Sequence, residues 1–124
     1  MIAVDTSSWS AFLAGEGGAD VEKLDGALRG GHAVLPPVVL CELLSNAKLP
    51  ASAAKLFQHV PVLELSEGYW ERAGRLRASV LAQGLRARLA DTLIAESCID
   101  HRVPLITRDS DFRSFVRLGG LALA

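Results

Sequence analysis

Two short apolar runs in this chain each lead into an aspartate. Ile2-Ala3-Val4 ends at Asp5, and Pro104-Leu105-Ile106-Thr107 is followed shortly by Asp109. Runs this short, set between helical patterns, read as buried strands at 2–5 and 103–107, with further short strands at 32–35, 60–65 and 121–123. Short apolar strands alternating with helices specify an α/β layered domain with a mostly parallel sheet, because parallel neighbours need a crossover between them. Ligands of such sheets bind outside the carboxyl ends of the strands. Asp5 and Asp109 both follow a strand, so both are expected at that end.

The helical segments follow from periodicity and punctuation. Thr6, Ser7 and Ser8 offer hydroxyls for capping a first helix that carries Trp9, Phe12 and Leu13 and ends near Gly15. Val21, Leu24 and Leu28 mark an amphipathic helix over 19–29, and Pro36-Pro37 opens another over 37–47. Pro50 starts a short helix to about His59. Pro61 then assigns the run 60–65 to an edge or strand-start position. Ser66 is expected to cap a long helix through Gln83, closed by Gly84 in a left-handed cap. Helices over 89–101 and 110–117 complete one domain spanning 1–124, with no internal repeat or linker.

Two further carboxylates interrupt apolar helical patterns. Glu42 lies in the pattern Val38 to Leu44, and Asp91 heads a stripe with Ile94, Ala95 and Cys98. A buried unpaired charge costs several kcal/mol, and like charges brought together repel unless a cation neutralises them. Asp5, Glu42, Asp91 and Asp109 together therefore point to a bound divalent ion. His32, His59 and His101 are scattered and Cys41 and Cys98 lack metal-type spacing, so a zinc site is excluded. An all-oxygen set suits Mg²⁺ or Mn²⁺ and commonly serves phosphoryl chemistry.

Composition narrows the setting. Half of the residues are hydrophobic, which argues against disorder, and no apolar run approaches the roughly 18 residues of a membrane span. The first residues lack a basic and apolar leader, so a cytoplasmic protein is expected, with Cys41 and Cys98 as small reduced core residues. The net charge of −1 conceals an asymmetry: residues 1–71 balance to −5 and residues 72–124 to +4, and every base in the second part is an arginine. Guanidinium groups suit bidentate phosphate contacts, so the asymmetry permits a polyanionic substrate. A solvated arginine face explains it equally well.

Four segments carry a family resemblance: Ile-Ala-Val-Asp-Thr-Ser-Ser at the start, Val-Val-Leu-Cys-Glu-Leu, Leu-Ala-Asp-Thr-Leu-Ile-Ala, and Leu-Ile-Thr-Arg-Asp-Ser-Asp-Phe near the end. In this order and spacing the chain resembles a PIN domain, and in length the stand-alone VapC-type toxins of toxin–antitoxin pairs. The resemblance implies a three-layer α/β/α domain and an Mg²⁺- or Mn²⁺-dependent endoribonuclease that hydrolyses RNA phosphodiesters. It further implies a homodimer neutralised by a cognate VapB-type antitoxin, with no membrane partner. Asp5, Glu42, Asp91 and Asp109 match the family's acidic quartet, with Asp5, Asp91 and Asp109 as metal ligands. Asp111 matches an additional acidic residue, Thr107 a hydroxyl near the centre, and Thr6 or Ser7 a support for Asp5. For an RNA substrate, Arg86, Arg88 and Arg108 are the expected phosphate contacts.

Structural roles compete at each position. Asp5 alternatively caps a helix, Glu42 is a solvated glutamate, Asp91 complements the helix dipole, and Asp111 caps the last helix. Trp9, Phe12, Leu13, Phe57, Tyr69 and Trp70 exceed what the short first helices need; most are expected in the core and some in a groove for an antitoxin helix. A catalytically silent PIN-like module that binds RNA or a partner protein is the main alternative. A phosphoacceptor receiver domain is disfavoured, because Thr6 rather than a second acid follows Asp5 and Lys55 is the last lysine.

Overall fold

The computed structural model describes residues 1–124. Its strands are β1 (Ile2–Val4), β2 (Ala33–Val34) and β3 (Leu105–Ile106), paired in parallel in the order β2-β1-β3. Ala3, Val4, Ala33, Val34, Leu105 and Ile106 are all buried, as a parallel sheet covered on both faces requires. Helices α1 (Thr6–Leu13) and α2 (Ala19–Arg29) connect β1 to β2. Helices α3 (Pro37–Leu44), α4 (Ala51–Phe57), α5 (Tyr69–Ala82) and α6 (Leu89–His101) connect β2 to β3, and α7 (Arg113–Gly119) follows.

The chain steps from β1 to one neighbour and later crosses to the other. Right-handed crossovers in opposite directions carry their helices to opposite faces, which makes the three-layer α/β/α arrangement. Accordingly α1 packs on α2, whereas α5, α6 and α7 pack on one another. Trp9, Leu24, Leu35, Ile94, Leu105 and Phe112 are fully buried between these layers. Trp9 meets Phe57 edge-on with ring centroids 5.3 Å apart.

Several local expectations change. The runs 60–65 and 121–123 contribute single parallel bridges, Val62 to Leu35 and Leu123 to Leu105, rather than strands. Leu35 donates to the Pro61 carbonyl at 2.8 Å and Leu63 donates to the Leu35 carbonyl at 2.9 Å. Pro61 has no N–H to extend the ladder, which keeps this run at the sheet edge. Helix α5 begins at Tyr69, with Gly68 at φ +80° before it, instead of at Ser66. Ser66 is taken up elsewhere: its hydroxyl donates to Asp100 and accepts from Arg72 Nη2 at 2.8 Å.

Arg72 is the polar brace between α5 and α6. Its Nη2 donates to Asp100 at 2.7 Å and its Nη1 to the Glu67 carbonyl at 2.7 Å. Glu96, 4.0 Å from Arg72, has its carboxyl pushed up to about 7 by burial, with Asp100 beside it adding to the shift. Cys98 is buried as expected, and that burial pushes its thiol up to about 12. Cys41 is exposed, contrary to expectation, because it faces away from the buried stripe Val39 and Leu43 of α3. Trp70 is also exposed, whereas Trp9, Phe57 and Tyr69 are buried.

Phe112 closes the turn that follows β3 and is 0 % exposed. Phe112→Ala is expected to lower unfolding free energy by about 3–5 kcal/mol, whereas Val116→Ala one turn further on changes it by under about 0.5 kcal/mol. Urea denaturation of both variants measures the contrast.

Candidate functional site

Register builds the site. Val4 of β1 pairs with Ile106 of β3, so the next residues, Asp5 and Thr107, emerge side by side at the carboxyl end of the sheet. The Asp5 N–H donates to the Ile106 carbonyl at 2.8 Å, which locks this alignment. Thr107 Oγ1 donates to Asp5 Oδ2 at 2.9 Å, Ser7 Oγ donates to the same oxygen at 2.6 Å, and the Thr6 N–H donates to Oδ1 at 2.8 Å. Asp5 thus caps α1 and is 4 % exposed with both oxygens hydrogen-bonded. Ser7 and Thr107 share one Asp5 oxygen, whereas Thr6 bonds Asp5 through its N–H and Glu42 through its hydroxyl.

From Thr107 the hydrogen bonds run onward. Its Oγ1 accepts from the Asp109 N–H at 3.0 Å, and Asp109 Oδ1 accepts from the Asp111 N–H at 2.9 Å. Asp109, not Asp111, caps the short 3₁₀ turn at Ser110–Phe112. This frees Asp111 to join a tight group: carboxylate oxygens of Asp91, Asp109 and Asp111 all lie within 4.8 Å of one another. Asp91 comes from the first turn of α6, across the sheet end from β3. Glu42 of α3 completes the surroundings, exposed, with its Oε1 accepting from Thr6 Oγ1 at 2.7 Å.

Asp91 records this crowding. Burial first, then the charges of Asp5 and Asp109, push its carboxyl from 3.8 up to about 6; Glu42 adds and Arg88 opposes. All four carboxylates singled out by sequence therefore act on one locus. The compact donor set is nevertheless Asp91, Asp109 and Asp111, with Asp5 outside it. Three carboxylates without histidine or cysteine fit a hard divalent cation such as Mg²⁺ or Mn²⁺.

The arginines divide. Arg86 Nη1 lies 3.8 Å from Asp111 and stays largely exposed, and Arg88 is exposed just before α6. Arg108 is committed elsewhere. Its guanidinium donates to Asp20 at 2.8 and 3.1 Å, to Glu16 at 3.1 Å and to the Gly17 carbonyl at 3.2 Å. The hydrogen bond from Arg108 holds Asp20 down at about 2. Spacing in the sequence carried no signal for this pairing between residues 88 apart.

The Asp91 value has a consequence for stability. Between about pH 4 and pH 6 the folded chain keeps a proton on Asp91 that the unfolded chain has lost, so the Asp91 contribution to stability is fully present below pH 4 and is lost as pH rises through 6. In chelator, Asp91→Asn is expected to stabilise the protein at pH 8 by on the order of 1 kcal/mol and to leave it little changed at pH 4. Thermal melts across that range check the sign.

The PIN domain profile matches residues 2–118. The chain has no significant sequence match among curated proteins. Among solved structures it resembles a chain of VapBC2 from Rickettsia felis bound to a DNA fragment from their promoter, at 21% identity and TM-score 0.73, covering 100% of this chain and 98% of that one. A toxin–antitoxin complex from Klebsiella pneumoniae gives 19% identity and TM-score 0.72, covering 98% and 96%. VapBC-5 from Mycobacterium tuberculosis, of the VapBC family of toxin–antitoxin systems, gives 23% identity and TM-score 0.65, covering 99% and 94%. With the profile spanning nearly the whole length, this chain belongs to the PIN domain family.

Proposed function

We propose that this protein is a VapC-type endoribonuclease toxin that hydrolyses RNA phosphodiester bonds with Mg²⁺ or Mn²⁺, acts in the cytoplasm as a homodimer and is neutralised by a VapB-type antitoxin. The observation that carries the catalytic part is the triad Asp91, Asp109 and Asp111 within 4.8 Å at the strand ends. The toxin–antitoxin assemblies among the similar structures support the partner. No helix is long and apolar enough to cross a membrane.

Asp91, Asp109 and Asp111 are the residues to hold the ion, with Asp5 contributing charge from its fixed position. When bound, the ion would neutralise the carboxylates, activate a water and stabilise charge on the phosphate oxygens. Glu42, exposed and held by Thr6 through one carboxylate oxygen, would orient the water from the α3 side. Water attacks phosphorus, the bond to the 3′ oxygen breaks, and the products are a 3′-hydroxyl and a 5′-phosphate. Arg86 and Arg88 are the cations available to the RNA backbone, whereas Arg108 serves the fold.

Asp91→Asn and Asp109→Asn are each expected to slow cleavage of an RNA oligonucleotide at least about 100-fold in Mg²⁺. Millimolar Mg²⁺ raises the melting temperature of the wild type by mass action, and the double variant loses that shift. A pure Asp91→Asn protein cleaving at the wild-type rate overturns the assignment. Arg86→Ala and Arg88→Ala are each expected to weaken RNA binding and to lower the slope of log K against log salt by about 0.7, the single-strand value per phosphate. Arg108→Ala leaves that slope unchanged. Binding titrations over a salt series read all three.

A further inference from the structure

Thr6 and Glu42 have a second role, as one rim of a cavity of about 230 Å³ between α1 and α3. We propose that this cavity is a nucleobase subsite, which seats one unpaired base of the RNA beside the scissile phosphate; the assignment rests on the ribonuclease reading above. The cavity borders the carboxylate site through Thr6, which lines it and hydrogen-bonds both Asp5 and Glu42. Helix periodicity makes it so: Thr6, Ser10 and Leu13 lie at i, i+4 and i+7 on α1, while Glu42 and Asn46 lie at i and i+4 along α3 and its C-terminal turn. An RNA strand seated at the carboxylates would have its neighbouring base within reach of these two helix faces.

The lining matches a base better than a sugar, an ion or a protein segment. Leu13, Leu49 and Pro50 offer apolar walls for a planar ring, and Ser10 and Asn46 offer hydrogen bonds to its edge. Asn46 Oδ1 already accepts from the Lys48 N–H at 3.0 Å, so its NH₂ is the end left to donate to a base oxygen or ring nitrogen. The volume is below the roughly 300–1,000 Å³ of drug-sized sites, enough for one ring system and too small for the face of a partner helix. Unpaired bases splayed from the strand are what proteins read in RNA. Ser10 and Asn46 are thereby specificity-determining residues.

The test uses the full chain carrying Asp91→Asn, so that RNA binds without being cut. A fluorescent single-stranded RNA is scanned with one abasic nucleotide at each position, and affinity is measured by anisotropy. One position is expected to lose about tenfold when abasic, the range of a single stacked base. Ser10→Leu, which fills the cavity from an exposed helix position, is expected to weaken the intact RNA by a similar factor and to cancel the abasic effect at that position only. Asn46→Ala gives a smaller loss that depends on which base stands there. Independent losses at every position, or unchanged affinity in Ser10→Leu, overturn the subsite in favour of another occupant such as a protein side chain. If wild-type chain still cleaves RNA in that case, only the subsite fails; if the chain neither binds nor cleaves RNA, the ribonuclease reading fails with it.

Discussion

The alignment of β1 against β3 is the constraint on which the acidic site depends. Because Val4 stands opposite Ile106, Asp5 stands opposite Thr107, and three successive hydrogen bonds then reach from Asp5 through Thr107 and Asp109 to Asp111. A slip of one residue in either strand turns every side chain to the other face. It would turn Asp5 or Thr107 into the core and break that series at its first link. The strands have only two or three residues each, so backbone bonds alone give weak specification of register. Burial of Ala3, Val4, Leu105 and Ile106 supplies the rest, since each slip would move them to the opposite covered face and misfit them against the helices there.

Charge compensation elsewhere in the molecule brings out what is different here. Asp20 meets Arg108, Asp25 meets Arg29, and Asp100 meets Arg72, all at 2.7–2.8 Å. At the strand ends the one ion pair is Arg86 with Asp111, at 3.8 Å and largely exposed, and Arg88 acts on Asp91 through charge alone, against three gathered carboxylates. Asp91 also sits in the first turn of α6, where the helix dipole favours a negative charge by about 0.3–1 kcal/mol. Its carboxyl still rises to about 6, so burial and like charge outweigh the dipole. A site of that kind is one the fold tolerates rather than one that holds it together.

Much of this was legible in the sequence wherever a local pattern decided the outcome. Helix 89–101 emerges with the expected bounds, Asp91 in its first turn and Ile94, Ala95 and Cys98 buried. The runs 60–65 and 121–123 read as strands yet make one bridge each, since apolar composition does not count the partners that a run will find at the sheet edge. Three partner choices were hidden because they are tertiary: Ser66 with Asp100 and Arg72, Arg108 with Asp20, and Asp111 with Asp91. Asp111 is instructive. Its separation of two from Asp109 admits a cap or a ligand equally, and the turn geometry gives the capping bond to Asp109 and leaves the Asp111 carboxylate beside Asp91 and Asp109.

The cavity beside Glu42 leaves no mark in the sequence for a related reason. Ser10 and Asn46 each follow a site residue by four positions, a spacing that places them on the same helix faces as Thr6 and Glu42. Neither residue interrupts an apolar pattern, so neither incurs a burial penalty that the sequence would flag. Carboxylates forced together are conspicuous because they are costly, whereas exposed hydroxyls and amides that line a cleft cost almost nothing. Residues that do chemistry are thus easier to read from a single chain than residues that choose the substrate. In this protein Ser10 and Asn46 lie one helical turn beyond Thr6 and Glu42, the hydroxyl and the acid that meet beside Asp5.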